Sequence, residues 1–174
     1  MTPTLNLLTH YARYHRDPRN IATHFVGIPL IVFAIGALLA RLRFEFGGLS
    51  LGAELVVWVL AALWYLRQGI NAVTLATIGA TGLLVALAHP LGQAPLSTWL
   101  LGGLGSFVVG WVFQFVGHHW EGRKPAFVDD IRGLLVGPMF VVAEVWFALG
   151  GGQAMHAHIV REAGPVARQT PRAA

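Results

Sequence analysis

The chain has 174 residues, 55% of them hydrophobic and 11% charged, with a mean hydropathy of +0.61. Soluble domains carry about a quarter charged residues and a single core cannot hide this much apolar side chain, so an ordinary soluble domain is excluded and the surplus must face lipid. The net charge of +4 comes from basic residues scattered between apolar blocks, which argues against a nucleic-acid surface, and the absence of cysteine excludes thiolate metal sites, disulfides and cysteine nucleophiles.

Residues 1–20 set Arg13, Arg16 and Arg19 beside Leu5, Leu7, Leu8 and Tyr11, the pattern of a short amphipathic helix. Asp17-Pro18 should end it, because proline disfavours a helical residue before it and is well tolerated in the first turn of a new helix. The next helix is predicted to start near Pro18. Residues 21–40 carry no formal charge, enough to span a hydrocarbon core of about 30 Å at about 1.5 Å per residue. Arg41 and Arg43 follow like a stop-transfer flank, and the apolar run is longer than that of a signal peptide.

Further spans are predicted over 49–66, 70–91, 98–117 and 131–149, the first interrupted by Glu54 and the last holding Pro138 and Glu144. Gly102, Ser106 and Gly110 form a small-residue stripe suited to close helix contact. The expected fold is all-α: a polytopic helical membrane bundle with four to five transmembrane helices and a short N-terminal amphipathic helix. Residues 1–152 form one membrane domain, and the three glycines at 150–152 open a polar tail, 153–174, expected to be mobile at its end. If all five spans cross and the N-terminus is cytoplasmic, seven basic residues lie inside against five outside, a vote for that orientation. Four spans, an even number, separate the N-terminal segment from the 117–132 loop, which puts the two on one membrane face.

Five of the eight histidines, His10, His15, His24, His118 and His119, fall in or beside those two segments. Asn20 and His24 are four apart and share a helix side, as do Tyr11 and His15. Gln114, His118 and Glu121 follow steps of four and three on one face, while His119 points about 100° away. On one unbroken helix His15 and His24 would face opposite ways, so their meeting requires the bend at Pro18. Three imidazoles and a carboxylate, His15, His24, His118 and Glu121, thus converge at one boundary. Neutral imidazole with carboxylate suits a divalent first-row metal: open positions beside such ligands are how non-haem Fe(II) activates oxygen, and zinc binds similar sets. Each histidine taken singly reads as an interfacial anchor, as the tryptophans do. Glu144 is either a hydrogen-bond partner of the site or half of an ion pair with an arginine such as Arg132. Arg123 and Lys124 either hold a substrate carboxylate or belong to a solvated loop.

Two stretches carry a family resemblance. Residues 11–29, with Tyr11, His15, Asp17, Pro18, Asn20, His24 and Pro29, and residues 114–126, with Gln114, His118, Trp120, Glu121 and Pro125, followed by Gly137, Pro138, Phe140 and Glu144, resemble the signature of the Mpo1-like family, membrane proteins related to 2-hydroxy fatty acid dioxygenases. The resemblance implies a multi-pass, Fe(II)-dependent dioxygenase of fatty-acid α-oxidation that takes a long-chain 2-hydroxy fatty acid and oxygen to a fatty acid one carbon shorter. It implies His15, His24 and His118 as iron ligands, Glu121 as a further ligand or an orienting group, and Asn20 and Gln114 as residues that steady them. His119 and the basic tail depart from the pattern. The rival from another class is a non-catalytic small transporter or assembly factor with histidines as anchors. A membrane di-iron desaturase is disfavoured because its HxxxH and HxxHH spacings are missing.

Overall fold

The fold is seen in a computed structural model, which describes residues 2–168 and, at Phe46 and Leu49, the backbone alone. Helix α1 (Pro3–Ala12) opens on Thr2, whose side chain accepts from the Leu5 amide, with proline in the first turn. After a short bend, α2 (Pro18–Leu39) starts in the same way: the Asp17 carboxylate accepts from the Arg19 amide at 2.8 Å. Strands β1 (Arg43–Phe46) and β2 (Leu49–Gly52) form an antiparallel hairpin turned at Gly47 and Gly48, whose φ values of 56° and 85° are the left-handed conformation that such a two-residue turn demands. Helix α3 (Ala53–Arg67) follows, then α4 (Ala72–Ala88), which begins in a reciprocal capping box between Asn71 and Thr74 and runs into a 3-10 segment, His89–Gln93. Helix α5 (Leu96–Leu100) continues through one π-helical turn, Leu101–Gly105, into α6 (Ser106–Glu121), which stops where Gly122 turns left-handed. Helices α7 (Gly133–Ala148) and α8 (Gln153–Ala163) complete the described chain.

The all-α expectation holds, with the small hairpin as its one addition among the described residues. Three stretches are long and apolar enough to cross a membrane, 18–39, 72–93 and 96–121, and a fourth results if α7 and α8, bent by 117°, are taken as one span. The segment 49–66 is not one continuous helix: its first four residues belong to the hairpin, which leaves α3 with 15 residues. Helix α3 still traverses the bundle. Glu54, at its start, touches His89, while the carbonyl of Gln68, just past its end, accepts from Thr4 in the first turn of α1. Four antiparallel passes therefore separate the N-terminal segment from the loop after α6, and both lie at one end of the molecule. The segment read as a polar tail is helical over Gln153–Ala163; from residue 169 it lies outside the described residues.

Helix α2 is central and packs on α3, α4, α6 and α7. Its closest partner is α6, and the small residues that allow this are spaced by seven, not by the four that the stripe 102, 106, 110 suggested. Gly103 lies on Leu38, Gly110 on Gly27 and Ile31, and Gly117 on Asn20 and Thr23. A β-carbon on Gly110 would stand 2.9 Å from the Gly27 carbonyl, inside any normal contact. Seven residues are close to two turns, so this row stays on one side of the helix along its whole length. Gly102 instead meets Leu91.

Candidate metal centre

The bend between α1 and α2 is where the site is built. His15 sits in it, wholly buried, and the turn around Asp17 and Pro18 folds His15 back toward His24, on the second turn of α2. His118 reaches the same point from the last turn of α6, carried by the α2–α6 contact at Gly117. The three rings meet edge to face, with centroids 4.5 Å (His15–His24), 4.9 Å (His15–His118) and 5.2 Å (His24–His118) apart. One nitrogen from each lies within 4.8 Å of the others, a group able to hold a metal ion.

Hydrogen bonds define how these rings present themselves. His15 Nδ1 lies 2.8 Å from the Tyr11 carbonyl and His24 Nδ1 lies 2.8 Å from the Asn20 carbonyl, each four residues back. A carbonyl only accepts, so both Nδ1 atoms donate and both neutral rings carry their lone pair on Nε2. Those two Nε2 atoms face each other at 3.0 Å. Two lone pairs at that distance repel unless something electron-poor stands between or beside them. A proton is a poor answer, because burial first and the neighbouring imidazoles second hold the His15 pKa well below the ordinary histidine range. A cation bound by both nitrogens is a good one, and a backbone carbonyl on the distal nitrogen is how ligating histidines are held in the right tautomer. His118 adds a buried Nδ1 with no hydrogen-bond partner in the protein. The donor set thus fits a divalent first-row metal.

Glu121 does not enter this group. Its Oε1 accepts from the Arg16 amide at 2.9 Å, and its Oε2 from the Asp17 amide at 2.8 Å and from Asn20 Nδ2 at 3.0 Å. The carboxylate clamps the unpaired amides ahead of α2 and so fastens the end of α6 to the bend that carries His15. Asn20 bridges this clamp and the triad: its amide serves Glu121 and its carbonyl orients His24. Gln114 lies one turn below His118, buried, over the bare Cα of Gly27, with Nε2 unpartnered.

The other residues singled out in the sequence lie elsewhere. Arg132 pairs with Asp130 at 2.6 Å, so it is not the partner of Glu144, whose polar neighbours are Arg16 and His156. Arg123 donates to the Arg13 carbonyl and Lys124 pairs with Asp129 at 2.6 Å, both on the exposed side of the loop. Tyr11 meets His15 as their four-residue step implied, and Phe140 and Arg16 gain a part that spacing alone did not give them. Tyr11 stacks on His15 at 4.1 Å between ring centroids, and Phe140 closes over both rings. The Arg16 guanidinium donates to the His15 carbonyl and to the Gly164 carbonyl, and the Ala167 amide donates back to the Arg16 carbonyl, so residues after α8 clasp the bend.

A slot of about 310 Å³ leads away from the triad between α2, α6 and α7. Tyr11, Gln114 and His118 line its inner end, and Val32, Ile35 and Phe107 line its course toward the other end of the bundle.

A helical membrane-type bundle with a buried three-histidine donor group at one end is the class that fold and site define. The model of the family described as "2-hydroxy-palmitic acid dioxygenase Mpo1-like" matches residues 1–149, and the chain belongs to that family. It is 35% identical over 147 residues to the 2-hydroxy-palmitic acid dioxygenase MPO1 of Saccharomyces cerevisiae, a match that covers 82% of this chain and 79% of the relative. No solved structure matches the chain.

Proposed function

We propose that this protein is a non-haem iron dioxygenase that converts a long-chain 2-hydroxy fatty acid to the acid one carbon shorter. The observation that carries the reading is the pair of Nε2 atoms of His15 and His24, fixed as acceptors by the Tyr11 and Asn20 carbonyls and facing each other at 3.0 Å next to His118. The activity of the yeast relative gives this donor set its substrate class and oxidant. The overall change balances with oxygen alone: the C1–C2 bond breaks, C2 becomes the new carboxyl, and C1 leaves as carbon dioxide with one water.

His15, His24 and His118 would hold the iron, which when bound supplies the oxygen chemistry and polarises the substrate's head group. Three neutral imidazoles leave the charge of a divalent ion unbalanced by the protein, since the Glu121 carboxylate is spent on backbone amides. That imbalance favours an anionic head such as a carboxylate. Tyr11 and Phe140 shield the site from water on the His15 side, and burial raises the Tyr11 pKa so that its phenol stays protonated. Glu121 and Asn20 act through the histidines as positioning residues. We place this end of the bundle on the cytoplasmic side: Gly164 and Ala167 bind Arg16, so Arg161 and Arg168 join Arg13, Arg16, Arg19, Arg67, Arg123, Lys124 and Arg132 there, not at the opposite face that a fifth crossing would give them, while Arg41 and Arg43 lie at the other end.

The test is direct. Purified under anaerobic conditions, the protein should carry iron near one per chain; given 2-hydroxypalmitate, Fe(II) and oxygen, it should release the acid one carbon shorter, followed by mass spectrometry. Absence of stoichiometric iron, or no turnover of any 2-hydroxy acyl chain, removes this reading.

A further inference from the structure

The slot beside the triad has two chemically distinct ends. Along α2 and α6 its walls are apolar, from Val32, Ile35, Phe107 and Trp111, while its inner end carries the polar side chains of His118 and Gln114. The slot therefore suits a molecule with one oxygen-bearing end and one narrow apolar tail.

Dimensions agree with a single alkyl chain. At roughly 30 Å³ for a group the size of a water molecule, 310 Å³ takes about ten methylenes. Val32 is eight residues beyond His24, about 12 Å along the α2 axis, again about ten carbons at roughly 1.2 Å per extended bond. We infer that this slot is the binding site for the acyl chain of the substrate, with its head at the inner end beside His118 and Gln114 and Val32 marking the depth at which chain length is sensed. The inference rests on the proposed reaction for the identity of the head group, and on the slot alone for the tail. Beyond about ten carbons the tail leaves the slot at the lipid-facing edge of α2 and α6, so longer acids are accepted with little further discrimination. The bilayer itself is a second source of such chains, and the occupant assigned here is a free acid.

Stearate carrying two bromines at mid-chain, added to the iron-loaded protein in phosphatidylcholine nanodiscs, tests the site without turnover, because bromine quenches tryptophan on contact and Trp111 lines the slot. Saturable quenching that the Trp111→Phe variant largely loses is the expected result. Equal quenching in that variant, or the same saturable component from brominated phosphatidylcholine, overturns the assignment. Turnover supplies the second arm. Val32→Phe should lower the ratio of 2-hydroxypalmitate to 2-hydroxyoctanoate turnover by about tenfold or more. Gln114→Leu should raise KM by about tenfold or more with iron content retained. If the parent turns over no 2-hydroxy acid but the Trp111-dependent quenching persists, the dioxygenase reading fails and the slot stands; turnover with unchanged chain preference in Val32→Phe sinks the slot alone.

Discussion

Each end of the bundle holds a buried carboxylate near histidine, and the two do opposite things. At the α1–α2 bend, Glu121 is consumed by backbone amides and the histidines turn to one another. At the far end, Glu54 accepts directly from His89 Nδ1 at 2.7 Å, and that ring is nearly half exposed, at 44%. A histidine with its own carboxylate and a path to water has no need of a metal. Three imidazoles sharing one dry space, two of them with their lone pairs locked inward, form a group able to hold one. Residue types alone do not separate these sites; the partner of each polar atom does.

Mutation can break that contrast, and the largest effect should come from the triad. His24→Ala or His118→Ala should abolish stoichiometric iron and reduce turnover by two orders of magnitude or more, whereas His89→Ala should keep both, measured by metal analysis and product formation. The next largest effect belongs to the clamp. Glu121→Gln replaces an acceptor-only group by one that must turn a donor toward the Arg16 or Asp17 amide, so iron affinity should fall about tenfold or more, with a lower Tm. Should Glu121→Gln leave both unchanged while Glu54→Gln lowers iron content, the two ends have been assigned the wrong way round.

Gly117→Leu pushes a side chain into Asn20 and Thr23, next to the clamp, and should cost about 1–3 kcal/mol in stability together with iron retention. Gly79, with nothing near its Cα on the outer side of α4, is the control: Gly79→Ala should be neutral or stabilise by up to about 1 kcal/mol, seen as an unchanged or raised Tm. The smallest effect should come from shortening the chain after Ala163, which leaves α8 and its buried Ile159 in place. Loss of the Gly164 and Ala167 contacts to Arg16 frees the His15 bend, and iron should exchange faster while its equilibrium content changes little.

Much of this was legible in the chain itself. Charge-free runs marked the long helices, proline after Asp17 marked the bend, and steps of four and three put Gln114, His118 and Glu121 on one face. The length of α3 was misread, because the hydrophobic run 49–66 includes Leu49 and Leu51, which sit in the hairpin that Gly47 and Gly48 turn. The glycine row was also misread, since a four-residue stripe is the more familiar signal, yet the antiparallel contact with α2 uses positions 103, 110 and 117.

The amino-acid pattern alone pointed to lipid as the solvent and marked the helices and the meeting of His15, His24 and His118, since hydrophobic periodicity and the even number of passes are local features. Which polar groups face one another emerged from the folded chain: that Glu121 binds amides and not the donor group, that Glu144 looks to Arg16 and not Arg132, and that an apolar slot opens beside Gln114. The physical reason is that a hydrogen-bond partner is chosen among groups far apart in the chain, by the angle of a bend and the closeness of two helices, and no spacing along one helix encodes either.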